Sequence, residues 1–259
     1  MLLDDFLGDG MELDGTSLGA YVHTSYAALE EAFRFANVDS SSCVIDIGCG
    51  DGRAALVAAA RFGCHAVGGI DCDAPLIEKF AEKARSLVDC SAVDPTTNTS
   101  EVASKGSSSN LAISAEQETR FVCVAADALA WGRQSQLFYG DDELKSVLPP
   151  RTVVFANVVD KTDVPVLLPK PTHIYLYILQ HRLKFLVPLL KRIRRDVPGV
   201  VIVSAFEFEV RPTDVDVVAS SAAQPAETSD GPSESDYLDV PVAASFVESK
   251  GRLTFRVYK

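Results

Sequence analysis

The chain has 259 residues, of which 47% are hydrophobic, which is enough apolar material for one sizeable core in a single α/β domain. Its formal net charge of −12 argues against a nucleic-acid backbone as the main partner, because such partners favour a basic surface. No stretch approaches the ~20 consecutive apolar residues of a membrane span, so we expect none.

The N-terminal region divides into an extension, residues 1–20, and a more informative segment. Residues 1–6 are acidic and lack arginine, which indicates neither a signal peptide nor a transit peptide. We therefore expect a cytoplasmic protein, and a mitochondrial location stays open if the natural N-terminus is longer. Residues 21–26 read Y-V-H-T-S-Y and precede a predicted helix at residues 27–36, whose apolar positions fall on one face.

Residues 44–53 are the most informative part of the chain. An apolar run containing Asp46 is followed by Gly48, Gly50 and Gly52, and then by an alanine-rich helical stretch at residues 54–62. This order predicts a strand, a tight turn and a helix start, where backbone amides can contact a small polar ligand. The dinucleotide pattern G-x-G-x-x-G/A fails because Arg53 occupies its third small position. An ordinary glycine-rich turn of another α/β protein is the alternative.

Two further predicted strands end in acidic residues. Residues 66–71 form the first, and Asp71 follows Gly50 by 21 residues, where doubly wound sheets place an acid on ribose hydroxyls. The alternative role, a helix cap, suits Asp73 better, because it precedes Ala74 and Pro75 and proline favours the first helical turn. The second strand, at residues 120–125, runs into Asp127, which could equally be a common turn residue.

The remaining strands lie in the second half of the chain. A nearly continuous apolar run at residues 172–179 predicts a strand that is covered on both faces. Proline disrupts helix interiors, so we split the following helical stretch at Pro188, with a helix over residues 189–196. A fifth strand follows at residues 200–204, and an antiparallel pair at 242–247 and 253–258 closes the chain through a turn at 249–251.

Insertions interrupt this single predicted domain, residues 1–259. Residues 90–118 are rich in Ser, Thr and Asn, and residues 212–239 are acidic and rich in Ser, Ala and Pro. Both compositions bury little, so we expect flexible segments. Residues 131–171 contain Trp131 and a strand-like run at 152–155, so this insertion could form an added subdomain or supply a strand that competes with the one at 172–179.

The pattern D-x-G-x-G-x-G at Asp46, Gly48, Gly50 and Gly52 resembles the first motif of the class I S-adenosylmethionine-dependent methyltransferases. The resemblance implies a doubly wound, Rossmann-like, seven-stranded sheet with a terminal antiparallel hairpin. The segment at 21–26, the run Y-L-Y-I-L at 175–179 and V-I-V-S at 201–204 look more narrowly like the lysine methyltransferases that act on the ATP synthase c-subunit and the adenine nucleotide translocase. Members of that family usually carry prolines where His23, Ser25 or Gln180 stand here.

The resemblance implies S-adenosylmethionine as cofactor and no metal. It places the glycine turn against the methionine end of the cofactor and an acid on the cationic amine, with Asp71 at the ribose and Asp127 at the adenine amino group. The residues expected to bind the cofactor are Thr24, Tyr26, Asp46, Gly48, Cys49, Gly50, Asp51, Arg53, Asp71, Cys72, Ala126, Asp127 and Ala128.

At the acceptor side, the resemblance makes Tyr21, Thr24 and Tyr26 a lid over the cofactor, and it places Tyr177 and Gln180 beside the group that is methylated. Tyr21, Tyr177 and Gln180 are the predicted catalytic residues. The alternative for Tyr21 and Tyr26 is packing at the helix start. Cys49 and Cys72 would flank the cofactor as sites of oxidative inhibition, although we prefer packing for both.

These patterns predict a protein-lysine N-methyltransferase with a protein substrate and no nucleic-acid partner, and they leave the oligomeric state open. A methyltransferase for a small molecule or another nucleophile is the first alternative, and a non-catalytic binding module is the second. The six cysteines form no C-x-x-C pair, so no zinc site is expected. We interpret the basic stretch at residues 182–195 as a solvated helix face, and contact with an acidic substrate or a membrane surface is the alternative.

Overall fold

The computed structural model describes residues 24–90, 111, 113–114, 116–159, 166–205, 242–248 and 251–258. The helices in these ranges are α1 (Tyr26–Phe35), α2 (Arg53–Phe62), α3 (Ala74–Cys90), α4 (Ala128–Trp131), α5 (Asp141–Val147) and α6 (Gln180–Asp196). The strands are β1 (Cys43–Ile47), β2 (Ala66–Asp71), β3 (Arg120–Ala125), β4 (Val153–Asn157), β5 (His173–Leu176), β6 (Val201–Ser204), β7 (Val242–Glu248) and β8 (Gly251–Tyr258).

The strands form one sheet in the order β4-β3-β2-β1-β5-β6-β8-β7. The first six strands in this order pair in parallel, whereas β8 runs antiparallel to both β6 and β7. The predicted doubly wound, Rossmann-like sheet with its terminal antiparallel hairpin is thus confirmed. All seven predicted strands are present, and β4 adds an eighth at the edge, from the strand-like run at residues 152–155.

Helices cover both faces of the sheet. The first face carries α1, α2 and α3, whose buried residues include Leu29, Phe33 and Phe80. The second face carries α4, α5 and α6, whose buried residues include Trp131 and Leu183. Because side chains alternate along a strand, β1 sends Val44 to the first face and its neighbours in sequence to the second. The central strands are therefore buried on both faces, as their continuous apolar runs predict.

The predicted helix start after Pro188 is wrong. α6 runs without interruption from Gln180 to Asp196 with Pro188 inside it. An internal proline costs about 3 kcal/mol through its missing N–H and its ring. The ring is exposed, and the opposite side of α6 buries a set of large apolar residues that offsets this cost: Leu183, Leu186, Leu189, Leu190 and Ile193. β5 is correspondingly shorter than predicted and ends at Leu176.

The described part of the insertion predicted at residues 131–171 packs on the second face through residues 131–148 and 166–168, and it adds β4 to the sheet. Trp131 is 1% exposed, and its indole N–H donates to the carbonyl of Val166. Its ring packs edge-on against that of Phe138, with 5.8 Å between the ring centroids. β4 pairs with β3 and does not compete with β5, which lies beside β1. Residues 1–20, 91–110 and 212–239, where the extension and flexible insertions are predicted, lie outside the described residues, as do 249 and 250 of the predicted hairpin turn.

Gly52 ends the glycine turn in a position that admits no side chain. Its φ is +75°, and a Cβ built there would lie 2.0 Å from Cδ2 of Phe80, in α3. The absence of a side chain thus lets α3 approach the turn.

We predict that Gly52→Ala destabilises the protein by more than ~3 kcal/mol, because left-handed backbone strain adds to a core clash. Gly199→Ala is the matched control, since Gly199 has φ +82° but no atom within 4 Å of its Cβ position. The control should lose only about 1–2 kcal/mol. Urea unfolding of the three proteins measures both losses, and equal losses would refute the close-packing argument.

Candidate cofactor site

Most of the predicted site residues that the structure describes lie where β1, β2, β3 and β5 end, and Thr24 and Tyr26 lie at the entry to α1. In open α/β sheets, ligands bind outside the carboxyl ends of the parallel strands. β1 occupies the centre of the sheet, with β2 on one side and β5 on the other. The turn after β1 is therefore flanked by the ends of both neighbours.

Hydrogen bonds fix the glycine turn to β2. The amide of Gly48 donates to the carbonyl of Ile70 at 2.8 Å, and the amide of Gly50 donates to Oδ2 of Asp71 at 2.8 Å. Gly48, Gly50 and Gly52 all have positive φ values, which glycine adopts without strain. Gly52 is the N-cap of α2 and has no side chain, so the N-cap residue leaves the first N–H groups of this helix uncapped. Such a helix start attracts anionic groups.

Asp46 is the unusual residue of this site. It lies in β1 between Gly69 of β2 and Tyr175 of β5, and it points to the first face, like Val44. It is only 3% exposed, and no hydrogen bond to its carboxylate occurs among the described residues. Burial raises the pKa of the Asp46 carboxyl well above its usual range, and the nearby Asp71 and Asp51 raise it further. A buried carboxylate of this kind requires a cationic partner or a proton.

Asp51 differs from Asp46 because it has a cationic partner. Its carboxylate forms an ion pair with the ammonium group of Lys83 in α3. The sequence carries no signal for this pair, because 32 residues separate its members. Asp51 therefore ties α3 to the turn, and its carboxylate is engaged before any ligand is considered.

The acids after β2 and β3 hold the backbone at the same edge. Oδ1 of Asp71 accepts from the amide of Asp73 at 2.9 Å, in addition to the bond from Gly50. Asp73 caps α3 as predicted, since its Oδ1 accepts from the amide of Leu76 at 3.1 Å. Asp127 caps α4 through the amide of Leu129 at 2.8 Å.

Two alanines complete this edge on either side of Asp127. Ala126 is buried, and its amide donates to the carbonyl of Asp71 at 2.9 Å, which joins the ends of β3 and β2. Ala128 is buried as the first residue of α4. The residues predicted for the ribose and the adenine are thus brought together.

The segment that enters α1 meets the site at Arg53. Nη1 of Arg53 donates to the carbonyl of Thr24 at 3.2 Å, and the guanidinium lies 5.0 Å from the centre of the Tyr26 ring. Nε of Arg53 is buried and has no hydrogen-bond partner among the described residues, and an unsatisfied buried donor costs about 1–3 kcal/mol. Thr24 is itself buried, and its hydroxyl forms a 3.2 Å hydrogen bond with the hydroxyl of Tyr175.

Tyr175 is a site residue that sequence reasoning missed. It is 2% exposed, it packs edge-on against Phe33, and burial raises the pKa of its hydroxyl well above the usual range. Strand alternation from Asp46 through the β1–β5 register could have placed it on the first face.

Among the predicted catalytic residues, Tyr177 is half-buried just after β5 and packs against the first-face core. Gln180 is the first residue of α6. Tyr21 lies outside the described residues.

The two cysteines predicted at the site differ in exposure. Cys49 is buried, and burial together with Asp46 raises its thiol pKa well above the usual range. Cys72 is exposed at the surface. Its thiol still loses part of its contact with solvent, which raises the thiol pKa, and the nearby Asp71 raises that pKa further. Both thiols are thus held protonated and poorly nucleophilic near neutral pH. Packing accounts for Cys49 but not for Cys72.

In the basic stretch of α6, Arg192 serves the fold. Its guanidinium donates to the carbonyls of Gly132, Gln134 and Ser135, after α4. Within the ranges that the structure describes, no group of three or more His, Cys, Asp or Glu side chains could hold a metal ion. In those same ranges, no helix has the length and apolar character to cross a membrane.

No family model matches the chain, and no curated protein matches it. An RNA methyltransferase from Salinibacter ruber, solved with S-adenosyl-L-homocysteine, is 18% identical, with 92% of each chain covered and a TM-score of 0.41. A putative methyltransferase, YhhF, from Escherichia coli is 12% identical, with 93% of this chain and 89% of that chain covered and a TM-score of 0.42.

A precorrin-6y C5,15-methyltransferase from Geobacter metallireducens GS-15 is 9% identical, with 95% and 94% of the two chains covered and a TM-score of 0.41. At these identities and scores, the similarities add no argument of their own to the strand order and the site geometry.

We predict that Asp46→Asn stabilises the ligand-free protein by roughly 1–3 kcal/mol near pH 7. The substitution removes a buried carboxylate that has no hydrogen-bond partner among the described residues. The raised pKa of folded Asp46 means that the wild-type folded state holds more protons than the unfolded chain. Wild-type stability at this group therefore falls as pH rises above the unfolded value of about 3.8. Urea unfolding between pH 5 and 8 should show the gain from the variant growing with pH.

Asp39→Asn is the control of opposite sign. Hydrogen bonds from Ser41 and Ser42 lower the pKa of Asp39, so its contribution to stability is present above the unfolded pKa and is lost as pH falls. This variant should lose stability at neutral pH. If Asp46→Asn and wild type show the same pH dependence, Asp46 is not an isolated buried carboxylate.

Proposed function

We propose that this protein is an S-adenosylmethionine-dependent methyltransferase. The observation that carries the proposal is Asp46, a buried carboxylate with no hydrogen bond among the described residues, beside a glycine turn whose helix start has no side-chain cap. An α-amino acid group matches both features, because its ammonium suits the carboxylate and its carboxylate suits the helix start. S-adenosylmethionine carries this group together with a nucleoside.

The residues present fit the whole cofactor. Asp46 would hold the ammonium, and the amides at the start of α2, beside the Arg53 guanidinium, would hold the carboxylate. Asp71 would accept from the ribose hydroxyls and Asp127 from the adenine amino group, since one carboxylate oxygen accepts more than one hydrogen bond. When bound, the cofactor supplies an electrophilic methyl group on a sulfonium, so the protein's tasks are binding and orientation.

The acceptor side requires a neutral nucleophile held in line with the methyl group. We assign its orientation to Tyr177 and Gln180, which follow β5 at the carboxyl edge of the sheet. An amine acceptor must lose its proton first, and burial at the site favours the neutral form. The lid role of Tyr21 remains part of this proposal.

The acceptor class is proposed at a coarser level than protein lysine. Three residues of the segments that resemble the lysine methyltransferases have structural tasks here: Thr24 and Tyr175 bond to each other, and Ser25 caps α1 through the amide of Ala28. These tasks account for the residues without a lysine pocket, and no curated protein matches the chain. A small molecule or another nucleophile is therefore the acceptor we favour, and protein lysine is the alternative.

Isothermal titration of the purified protein with S-adenosylmethionine tests the proposal. We predict measurable binding that Asp46→Asn weakens by roughly 30-fold or more, since truncating one member of a buried charge pair costs at least about 2 kcal/mol. Asp73→Asn is the matched control, because Asp73 caps α3 at the same edge. No heat from folded wild-type protein would refute the methyltransferase assignment.

Transfer of tritiated methyl groups into a size-fractionated lysate then separates an enzyme from a non-catalytic binding module and identifies the acceptor class. We expect label in small metabolites or another non-lysine acceptor. Label confined to protein lysines would restore the lysine methyltransferase interpretation, and binding without any transfer would favour the non-catalytic module.

A further inference from the structure

Thr24, Ser25 and Tyr26 lead into α1 and are anchored to two separate walls of the candidate cofactor site. On one side, Arg53 donates from Nη1 to the carbonyl of Thr24 at 3.2 Å and lies over the ring of Tyr26 at 5.0 Å. Arg53 directly follows the glycine turn, as the first residue of α2. These two contacts use the forked, planar guanidinium, whose geometry a lysine ammonium does not have.

On the other side, the Thr24 hydroxyl bonds to Tyr175 at 3.2 Å. Tyr175 is the β5 partner of Asp46 in the β1–β5 register, and both side chains lie on the first face. The entry to α1 therefore connects Tyr175, beside Asp46, with Arg53, which follows the glycine turn. We call Thr24, Tyr26, Arg53 and Tyr175 the clasp.

We propose that the clasp couples cofactor binding to the position of the α1 entry, with Arg53 as the positioning residue. This inference rests on the proposed function, because it concerns the same cofactor. Within the clasp, Arg53 uses Nη1 and the contact of its guanidinium with the Tyr26 ring, and among the described residues its buried Nε has no acceptor. A ligand carboxylate at the start of α2 would lie beside this cation, and their attraction would favour the clasped arrangement.

The coupling is reciprocal. A ligand that favours the clasped arrangement must bind more tightly when the clasp is intact, by the same factor by which it stabilises the clasp. A residue that only packed α1 on α2 would affect folding and would leave this factor unchanged. Arg61 provides that comparison, because it also lies in α2 and ties it to α1, through an ion pair with Glu30 at 3.2 Å.

The test compares Arg53→Gln, Arg53→Lys and Arg61→Gln in the full chain with S-adenosylhomocysteine as the probe. Hydrogen exchange of the amides at residues 28–32 with and without probe reports the coupling, and titration calorimetry gives Kd. In wild type, the probe should slow exchange in the first turns of α1. Arg53→Gln should weaken binding about tenfold, as expected for a lost charged hydrogen bond, and should abolish the slowing.

Arg53→Lys keeps the charge without the planar fork, so its loss of affinity and of protection should fall between wild type and Arg53→Gln. It also provides a measurable variant if Arg53→Gln does not fold. Arg61→Gln should bind the probe and slow exchange as wild type does. Steady-state kinetics, once an acceptor is known, should show the Arg53 defect mainly in KM for the cofactor.

The failures of the two proposals differ in this experiment. Wild-type protein that does not bind the probe overturns both the proposed function and the clasp. Wild-type binding with the Arg53 variants indistinguishable from Arg61→Gln overturns the clasp alone. Full wild-type coupling in Arg53→Lys also overturns it, because charge without guanidinium geometry would then suffice.

Discussion

The structure is built around the carboxylate of Asp46, which the fold buries with no hydrogen-bond partner among the described residues. Asp46 lies in the central strand and is 3% exposed. Burial raises the pKa of its carboxyl, and the acids Asp71 and Asp51 raise that pKa further. An isolated charge in such a place opposes folding, so the rest of the molecule must stabilise the strand against it. The buried apolar residues of β1, β2, β3, β5 and β6, on both faces of the sheet, provide that stabilisation.

The same constraint explains the construction around Asp46. The glycine turn brings backbone amides beside the carboxylate, and Asp71 and Ile70 of β2 hold the turn through its own N–H groups. Among the described residues, Lys83 pairs with Asp51 and not with Asp46, so the ion pair fixes α3 without satisfying the central acid. This arrangement supports the proposal that the site binds a cofactor with a cationic group of its own.

Local patterns were enough to predict the part of the fold that carries the site. The β-branched run before Asp46, the alternating glycines and the acids after two strands predicted the strand ends correctly, because turn chemistry and strand burial are visible within a few residues. Patterns that depend on distant partners were not predictable in this way. α6 continues through Pro188 because its apolar face is buried, and β4 becomes an edge strand because β3 presents a free side to it.

The individual site residues show the same division. Asp73 was recognisable as a cap from its neighbours Ala74 and Pro75, and the structure confirms it. Tyr175 gave no local sign of its bond to Thr24, since 151 residues separate them. Arg53 was expected at the cofactor from its place after the turn, but its contacts with Thr24 and Tyr26 appear only in the folded chain.

A crystal structure of the protein with S-adenosylhomocysteine tests the central claim most directly. We predict that the amine of the ligand donates to the Asp46 carboxylate at about 2.7–2.9 Å, the distance of a charge-assisted hydrogen bond. A ligand bound elsewhere, or one whose amine leaves the Asp46 carboxylate without contact, would contradict it.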